Sequence, residues 1–256
     1  MRVAPRLPRV AVEADGSRLE PISDTVVDHH EDLNVTNRLP SPGLLIVTGI
    51  SVLFFFGLPV LGWGSVGGLL SHPARVGAFV VVGLACAASL FTGINLGGCV
   101  RADARHRWIL APFAAIALLM TIVPAYDDRH DLATIDGDAT RYLGLALMIA
   151  GSILRVGPMF VLGRRFTWPL ASQEPHALMT TGFYRYVRHP SYLGAMLGGL
   201  GWVLIFRSGL GLILVALLLP ALLLVVPFEE ALLEGEFGEE YENYRGRTWR
   251  LIPFLY

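Results

Sequence analysis

Apolar residues run through the chain in six long blocks separated by short polar joints. The blocks are approximately Leu44–Trp63, Arg75–Gly98, Trp108–Tyr126, Tyr142–Leu162, Tyr192–Phe206 and Leu210–Phe228. A helix needs about 20 residues to cross the hydrocarbon core of a bilayer, with a range of about 17–25. All but Tyr192–Phe206 reach that length, and the short block is expected to tilt or to insert only in part. Backbone groups cannot stay unpaired in lipid, so each block is expected to be a helix. The predicted fold class is all-α, a polytopic integral membrane protein with about six transmembrane helices.

Composition agrees with that reading. Of 256 residues, 54% are hydrophobic and 16% charged, where a soluble domain carries about 25% charged residues. Mean hydropathy is +0.55. The length alone would admit one or two domains. The hydropathy favours one membrane unit with a polar N-terminal extension. Three stretches result: a cytoplasmic tail over 1–40, N-terminal transmembrane helices over 41–140, and a C-terminal membrane domain over 141–256. The tail carries charges of both signs and no apolar run, so it does not read as a signal peptide. Its His29-His30-Glu31-Asp32 run lies on a polar segment and is not taken as a metal site.

Formal net charge is −1, which gives no bulk electrostatic case for nucleic acid. All 20 basic residues are Arg, so no lysine is available for Schiff-base chemistry. The two cysteines, Cys86 and Cys99, sit in one apolar block. Thirteen residues apart on one helix, they stand about 20 Å apart, too far to bridge. They read as small packing residues.

The arginines set the expected orientation. Arg101, Arg105 and Arg107 lie between the second and third blocks, Arg164 and Arg165 after the fourth, and Arg185 and Arg188 before the fifth. Arg245, Arg247 and Arg250 follow the sixth. The joint Asp127–Thr140 is instead acidic, with Asp127, Asp128, Asp131, Asp136 and Asp138. This distribution predicts both termini on the cytoplasmic side and the acidic joint outside.

Two polar stretches carry candidate chemistry. The first is Thr181–Gly194, dense in aromatic and charged residues. Pro190 suits the first turn of a helix, so the fifth block is expected to begin there. The N–H groups and positive dipole end of that helix favour an anionic group. Arg188 could grip a carboxylate through two bonds, and His189 and Tyr192 could orient a ligand. An interfacial Arg-His anchor with an aromatic belt of Tyr184, Tyr186 and Tyr192 is the plainer alternative. Gly194, Gly198 and Gly201 then offer a face for close helix packing. In the fourth block, Arg155 either snorkels to the interface or faces a polar cavity. The second stretch is Glu229–Arg250, where Glu230, Leu233, Phe237, Tyr241 and Tyr244 recur on one face of a helix.

Together these stretches resemble the isoprenylcysteine carboxyl methyltransferase family. The resemblance lies in His176-x-Leu178-x-Thr180-x-Gly182-x-Tyr184-x-x-x-Arg188-His189-Pro190-Ser191-Tyr192-x-Gly194. It continues in Glu229-Glu230-x-x-Leu233-x-x-x-Phe237-Gly238-x-x-Tyr241-x-x-Tyr244, followed by Pro253. Arg155 and Leu162-Gly163-Arg164-Arg165-Phe166-Thr167 resemble the lead-in of bacterial members, and the likeness covers roughly Tyr142–Tyr256. It implies an integral membrane enzyme that uses S-adenosylmethionine without a soluble methyltransferase domain. It also implies that His176, Ala177, Leu178 and Met179, with Gly182, Tyr184, His189, Pro190, Ser191, Tyr192, Glu229 and Glu230, contact the cofactor. A C-terminal amphipathic helix would fold back over that cytoplasmic-side pocket. Arg188, His189 and Arg155 are the candidate catalytic residues, and no metal is implied.

The family pattern is broken at one place. Members that methylate prenylcysteine usually carry an Arg shortly before the paired Glu, and here that stretch is Leu224-Val225-Val226-Pro227-Phe228. The methyl donor is therefore better supported than the acceptor. The acceptor is lipophilic, a prenylcysteine-type carboxylate, a lipid amine or a small thiol. Membrane sterol-type reductases that use NADPH share a similar string, but His189-Pro190-Ser191-Tyr192-Leu193-Gly194-Ala195 lacks their Asn and final Glu. A non-catalytic protein that keeps the fold is the remaining alternative.

Overall fold

The computed structural model describes residues 42–91, 110–162 and 178–253. Within them the chain is helical: α1 (Pro42–Val52), α2 (Leu58–Trp63), α3 (Val66–Leu69), α4 (Pro73–Ser89), α5 (Leu110–His130), α6 (Asp138–Leu162), α7 (Pro190–Ile205), α8 (Gly209–Phe237) and α9 (Glu239–Arg245). Two isolated bridges are the β pairing among the described residues, Thr134 with Ser208 and Val187 with Trp249. The rest of the second apolar block, the arginines at 101–107, Cys99, His176 and Ala177, and the 163–177 joint lie outside the described residues.

Four helical stretches are long and apolar enough to cross a bilayer: Leu45–Trp63, Ala111–His130, Asp138–Phe160 and Gly209–Phe237. The first joins α1 to α2 through a π-helical turn at Leu53–Gly57. Pro59 follows at the start of α2, where its missing N–H interrupts the regular ladder. The shorter apolar helices are α4 and α7. With 16 residues, α7 is about 24 Å long, less than the roughly 30 Å of a hydrocarbon core.

Two boundaries differ from expectation. The acidic joint was expected to start at Asp127, but α5 continues to His130 and carries Asp127 and Asp128 inside it, 1% and 6% exposed. The physical reason is local neutralisation. Asp128 accepts from Arg75 of α4 at 2.7 Å, from Arg141 of α6 at 2.7 and 2.8 Å, and from Arg207 at 3.0 Å. Desolvating a carboxylate is tolerated when charge-assisted bonds replace its water. The sixth block was expected to end at Phe228, yet α8 runs unbroken to Phe237. It stops at Gly238, whose φ of +51° suits a residue without Cβ.

The centre of the bundle is aromatic. The Trp202 ring on α7 meets Phe79 of α4 edge-on at 5.7 Å, and also meets Phe55 and Phe206. A smaller cluster of Tyr192, Leu222, Val225, Val226 and Leu251 lies where α7 begins and α8 ends. Between α6 and α7 the backbones touch. A Cβ at Gly151 would come within 2.4 Å of the Gly198 amide nitrogen, one at Gly194 within 2.5 Å of the Arg155 nitrogen, and one at Gly201 within 2.5 Å of the Gly144 oxygen. The expected glycine packing face is therefore present. At Gly198 itself a Cβ would meet open space.

Candidate active site

The start of α7 is built as the sequence pattern predicts. Gly182–Arg185 forms a 3₁₀ turn, entered at Gly182 with φ +62°. His189 flanks the helix and Pro190 occupies its first turn. The residues just before α7 are held by the C-terminal strand of chain. Trp249 donates its N–H to the Tyr186 carbonyl at 2.9 Å. In return, the Arg188 and His189 amides donate to the carbonyls of Trp249 at 2.8 Å and Arg250 at 3.1 Å.

Side chains from α8 complete the cluster. Glu230, 3% exposed, accepts from Arg188 Nε at 2.9 Å and from Arg250 Nη2 at 2.6 Å. Its Oε1 also stands 3.3 Å from His189 Nε2. Glu229 faces the other side of the same imidazole, with Oε2 3.5 Å from His189 Nδ1. Its Oε1 accepts from the Tyr192 hydroxyl. The imidazole and the Tyr192 ring lie stacked, 5.6 Å apart and 19° from parallel. On the neighbouring α6, Arg155 Nη1 donates to the Ser191 hydroxyl at 2.8 Å.

Burial alone would disfavour a charged His189. The bonds to Glu229 and Glu230 outweigh it and hold its pKa above the ordinary value. Tyr244 of α9 donates to the Tyr184 carbonyl at 2.7 Å. Burial pushes its phenol up to about 12 against the lowering effect of Arg188, so it remains a neutral donor. Burial, with Tyr244 and Glu229 nearby, likewise raises Tyr184.

The structure thus brings Arg155, Tyr184, Arg188, His189, Pro190, Ser191, Tyr192, Glu229 and Glu230 into one neighbourhood. Leu178 and Met179 are half-buried on the approach to the 3₁₀ turn, where the Met179 sulfur accepts from the Thr181 hydroxyl at 3.5 Å. His176 and Ala177 lie outside the described residues. Arg188, expected to meet a ligand's carboxylate, has two of its three guanidinium nitrogens engaged within the protein. Its Nε is engaged by Glu230, and its Nη1 donates to the carbonyls of Arg245 and Thr248 and to the Thr248 hydroxyl. The guanidinium ties the C-terminal chain to α8.

Arg250 was read from the sequence only as an orientation signal. Its role at Glu230 depends on the chain folding back over 20 residues. The part of the site with spare capacity is Glu229. Its side chain is 20% exposed, while that of Glu230 is 4% exposed. A carboxylate beside two tyrosine rings and a helix start can take a small molecule bearing both an ammonium and a carboxylate. Among the described residues no group of three or more His, Cys, Asp or Glu side chains is arranged to hold a metal ion.

Comparison with known proteins points the same way. A family model described as phospholipid methyltransferase matches residues 139–240. A probable protein-S-isoprenylcysteine O-methyltransferase of Oryza sativa subsp. indica is 32% identical over 117 residues, covering 44% of this chain and 61% of the relative. The protein-S-isoprenylcysteine O-methyltransferase of Schizosaccharomyces pombe is 34% identical over 114 residues, covering 43% of this chain and 48% of the relative. The chain thus spans about three fifths or less of the length of these curated relatives. A solved structure of a eukaryotic intramembrane Ras methyltransferase (isoprenylcysteine carboxyl methyltransferase) aligns over 83% of this chain and 86% of that one, at 17% identity and a TM-score of 0.40. Through the region that carries the His189–Tyr192 and Glu229-Glu230 motifs, the chain is similar to phospholipid methyltransferases and to protein-S-isoprenylcysteine O-methyltransferases.

Proposed function

We propose that the protein is a methyltransferase that uses S-adenosylmethionine at the cytoplasmic face of the cell's inner membrane. Its acceptor is lipophilic, and the carboxylate of a prenylcysteine is favoured. One observation carries the reading: His189 and Tyr192 at the start of α7 meet Glu229 and Glu230 of α8 in a buried polar cluster. The activity named for the similar proteins of Oryza sativa and Schizosaccharomyces pombe supports it.

The donor set suits the proposed cofactor. Glu229 is the acceptor for its ammonium or its ribose hydroxyls, and the helix start of α7 favours its carboxylate. Tyr184 and Tyr192 supply aromatic faces that attract a sulfonium. Gly182, Pro190 and Ser191 would shape the backbone around it, and Leu178 and Met179 would line its approach. When bound, the cofactor supplies a methyl group activated by a positive sulfur. A carboxylate acceptor is already ionised at neutral pH, so the residues are asked chiefly to align it. Arg155, beside Ser191, is the cation assigned to orient that acceptor. An amine or thiol acceptor would have to lose a proton, and His189 is the nearest base.

Calorimetry on detergent-purified protein tests the donor. Saturable binding of S-adenosylmethionine is expected. Absence of binding at millimolar cofactor, or binding of NADPH in its place, would overturn the reading. A labelled-methyl assay with a prenylcysteine and a lipid amine tests the acceptor. Label released by mild base marks an ester, and label that resists base marks an amine product.

A further inference from the structure

The end of the bundle opposite the candidate site holds a second polar cluster that the proposed chemistry does not use. α7 and α8 are joined there by Phe206, Arg207 and Ser208. Arg207 has φ +52°, a left-handed conformation that is unfavourable for a non-glycine residue. Such a conformation persists only where its surroundings over-determine it, and they do so here. Arg207 Nε donates to Asp128 at 3.0 Å and Nη2 to Asp131 at 3.3 Å. The Ser208 hydroxyl donates to Asp127 and accepts from the Gly211 amide at 2.7 Å, capping α8. The Arg207 carbonyl accepts from Ile135, and the Gly209 amide donates to Ala133 at 2.9 Å. Asp128 is itself held by Arg75 and Arg141, and Arg141 also donates to the Ile205 carbonyl at 2.6 Å. The turn is therefore hooked to α4, α5 and α6 together.

A helix is stiff along its axis. An offset introduced where α7 hands over to α8 is carried along both helices, α8 having Pro220 and Pro227 within it. Those far ends carry His189 on one side and Glu229-Glu230 on the other. We propose that Arg207 and Ser208, seated on Asp128 and Asp127, are positioning residues. They set the register of α8 against α7, and so decide whether the carboxylates meet the imidazole about 24–30 Å away. That register is the same whichever ligand the site takes.

Spin-label distances in the full chain test this without any ligand. Cys86 and Cys99 are replaced by Ser. Labels are placed at Phe160 on α6 and Leu232 on α8, both 50% exposed. The α6 label reports on α7, because the glycine contacts make α6 and α7 one body. Arg207→Gly combined with Ser208→Ala cuts both side-chain hooks, and Gly keeps the backbone conformation without strain. The wild type is expected to give one narrow distance. The double variant is expected to broaden it and add a population displaced by about 5 Å, one helical turn. Arg207→Lys, which keeps the charge, is expected to restore the narrow peak. An unchanged distribution in a folded double variant would overturn the proposal and leave the cluster a purely local anchor. If circular dichroism shows the double variant unfolded, Ser208→Ala alone carries the same two outcomes.

Discussion

Glu229 and Glu230 are adjacent on α8 but serve different partners. Glu230 neutralises Arg188 and Arg250 and touches one edge of His189. Glu229 touches the other edge and binds the Tyr192 hydroxyl. One carboxylate thus closes the C-terminal chain onto α8, while its neighbour keeps capacity for a ligand. Their substitution should separate stability from binding.

Glu230→Ala strands two guanidiniums in a largely buried setting, and breaking such a pair costs about 3 kcal/mol. A clearly lowered thermal midpoint in detergent is expected. Glu229→Gln should stay within about 1 kcal/mol of the wild type. It should nonetheless weaken S-adenosylmethionine binding tenfold or more by calorimetry. Equal melting of the two variants would contradict this division.

His189 predicts a pH dependence with a definite sign. Its folded-state pKa lies above the ordinary value of about 6.5 because Glu229 and Glu230 outweigh burial. The stabilisation is therefore complete below about 6.5 and is lost as pH rises through the raised value. The thermal midpoint of the wild type should exceed that of His189→Gln at mildly acidic pH, and the gap should close as pH increases. A gap that widened with pH would reverse the assignment.

The glycines of α6 and α7 should differ sharply in tolerance. Gly151→Ala and Gly201→Ala each drive a methyl to within 2.4 or 2.5 Å of backbone atoms, and overpacking of this kind costs about 1–3 kcal/mol. Gly198→Ala meets nothing within 4 Å and should melt with the wild type. A thermal-stability series in one detergent reads all three.

Two tyrosines of α9 give a matched contrast. Tyr244→Phe removes the donor to Tyr184 and should cost about 1 kcal/mol. The Tyr241 hydroxyl is buried without a hydrogen-bond partner, so Tyr241→Phe should be neutral or stabilising. Parallel denaturation curves decide it.

Hydropathy made the helices legible, and Pro190 marked the start of α7 because a proline's missing N–H costs nothing in the first turn. The family motifs lie on segments that the fold brings together at the start of α7. What stayed hidden was pairing at a distance. Asp128 read as a loop acid because its partners Arg75 and Arg207 lie 53 and 79 residues away. Arg188 read as a ligand for an anion because Glu230 lies 42 residues further on. Charges in a membrane protein reveal their purpose only once the helices between them are packed. The overrun of α8 past Phe228 is another such case, since its buried Glu230 depends on neighbours from α7 and the C-terminal chain.

The shortness of α7 also ties the site to the lipid. From the Arg207 turn, α7 covers about 24 Å and α8 reaches Glu229 after about 30 Å. The polar cluster therefore lies about one hydrocarbon thickness, or slightly more or less, from the Arg207 turn. A protein built this way matches its surroundings only over a narrow range of membrane thickness. Thicker bilayers would draw acyl chains over Glu229 and His189 or force the membrane to thin around them, and lipid chain length would then act on the site from outside the protein.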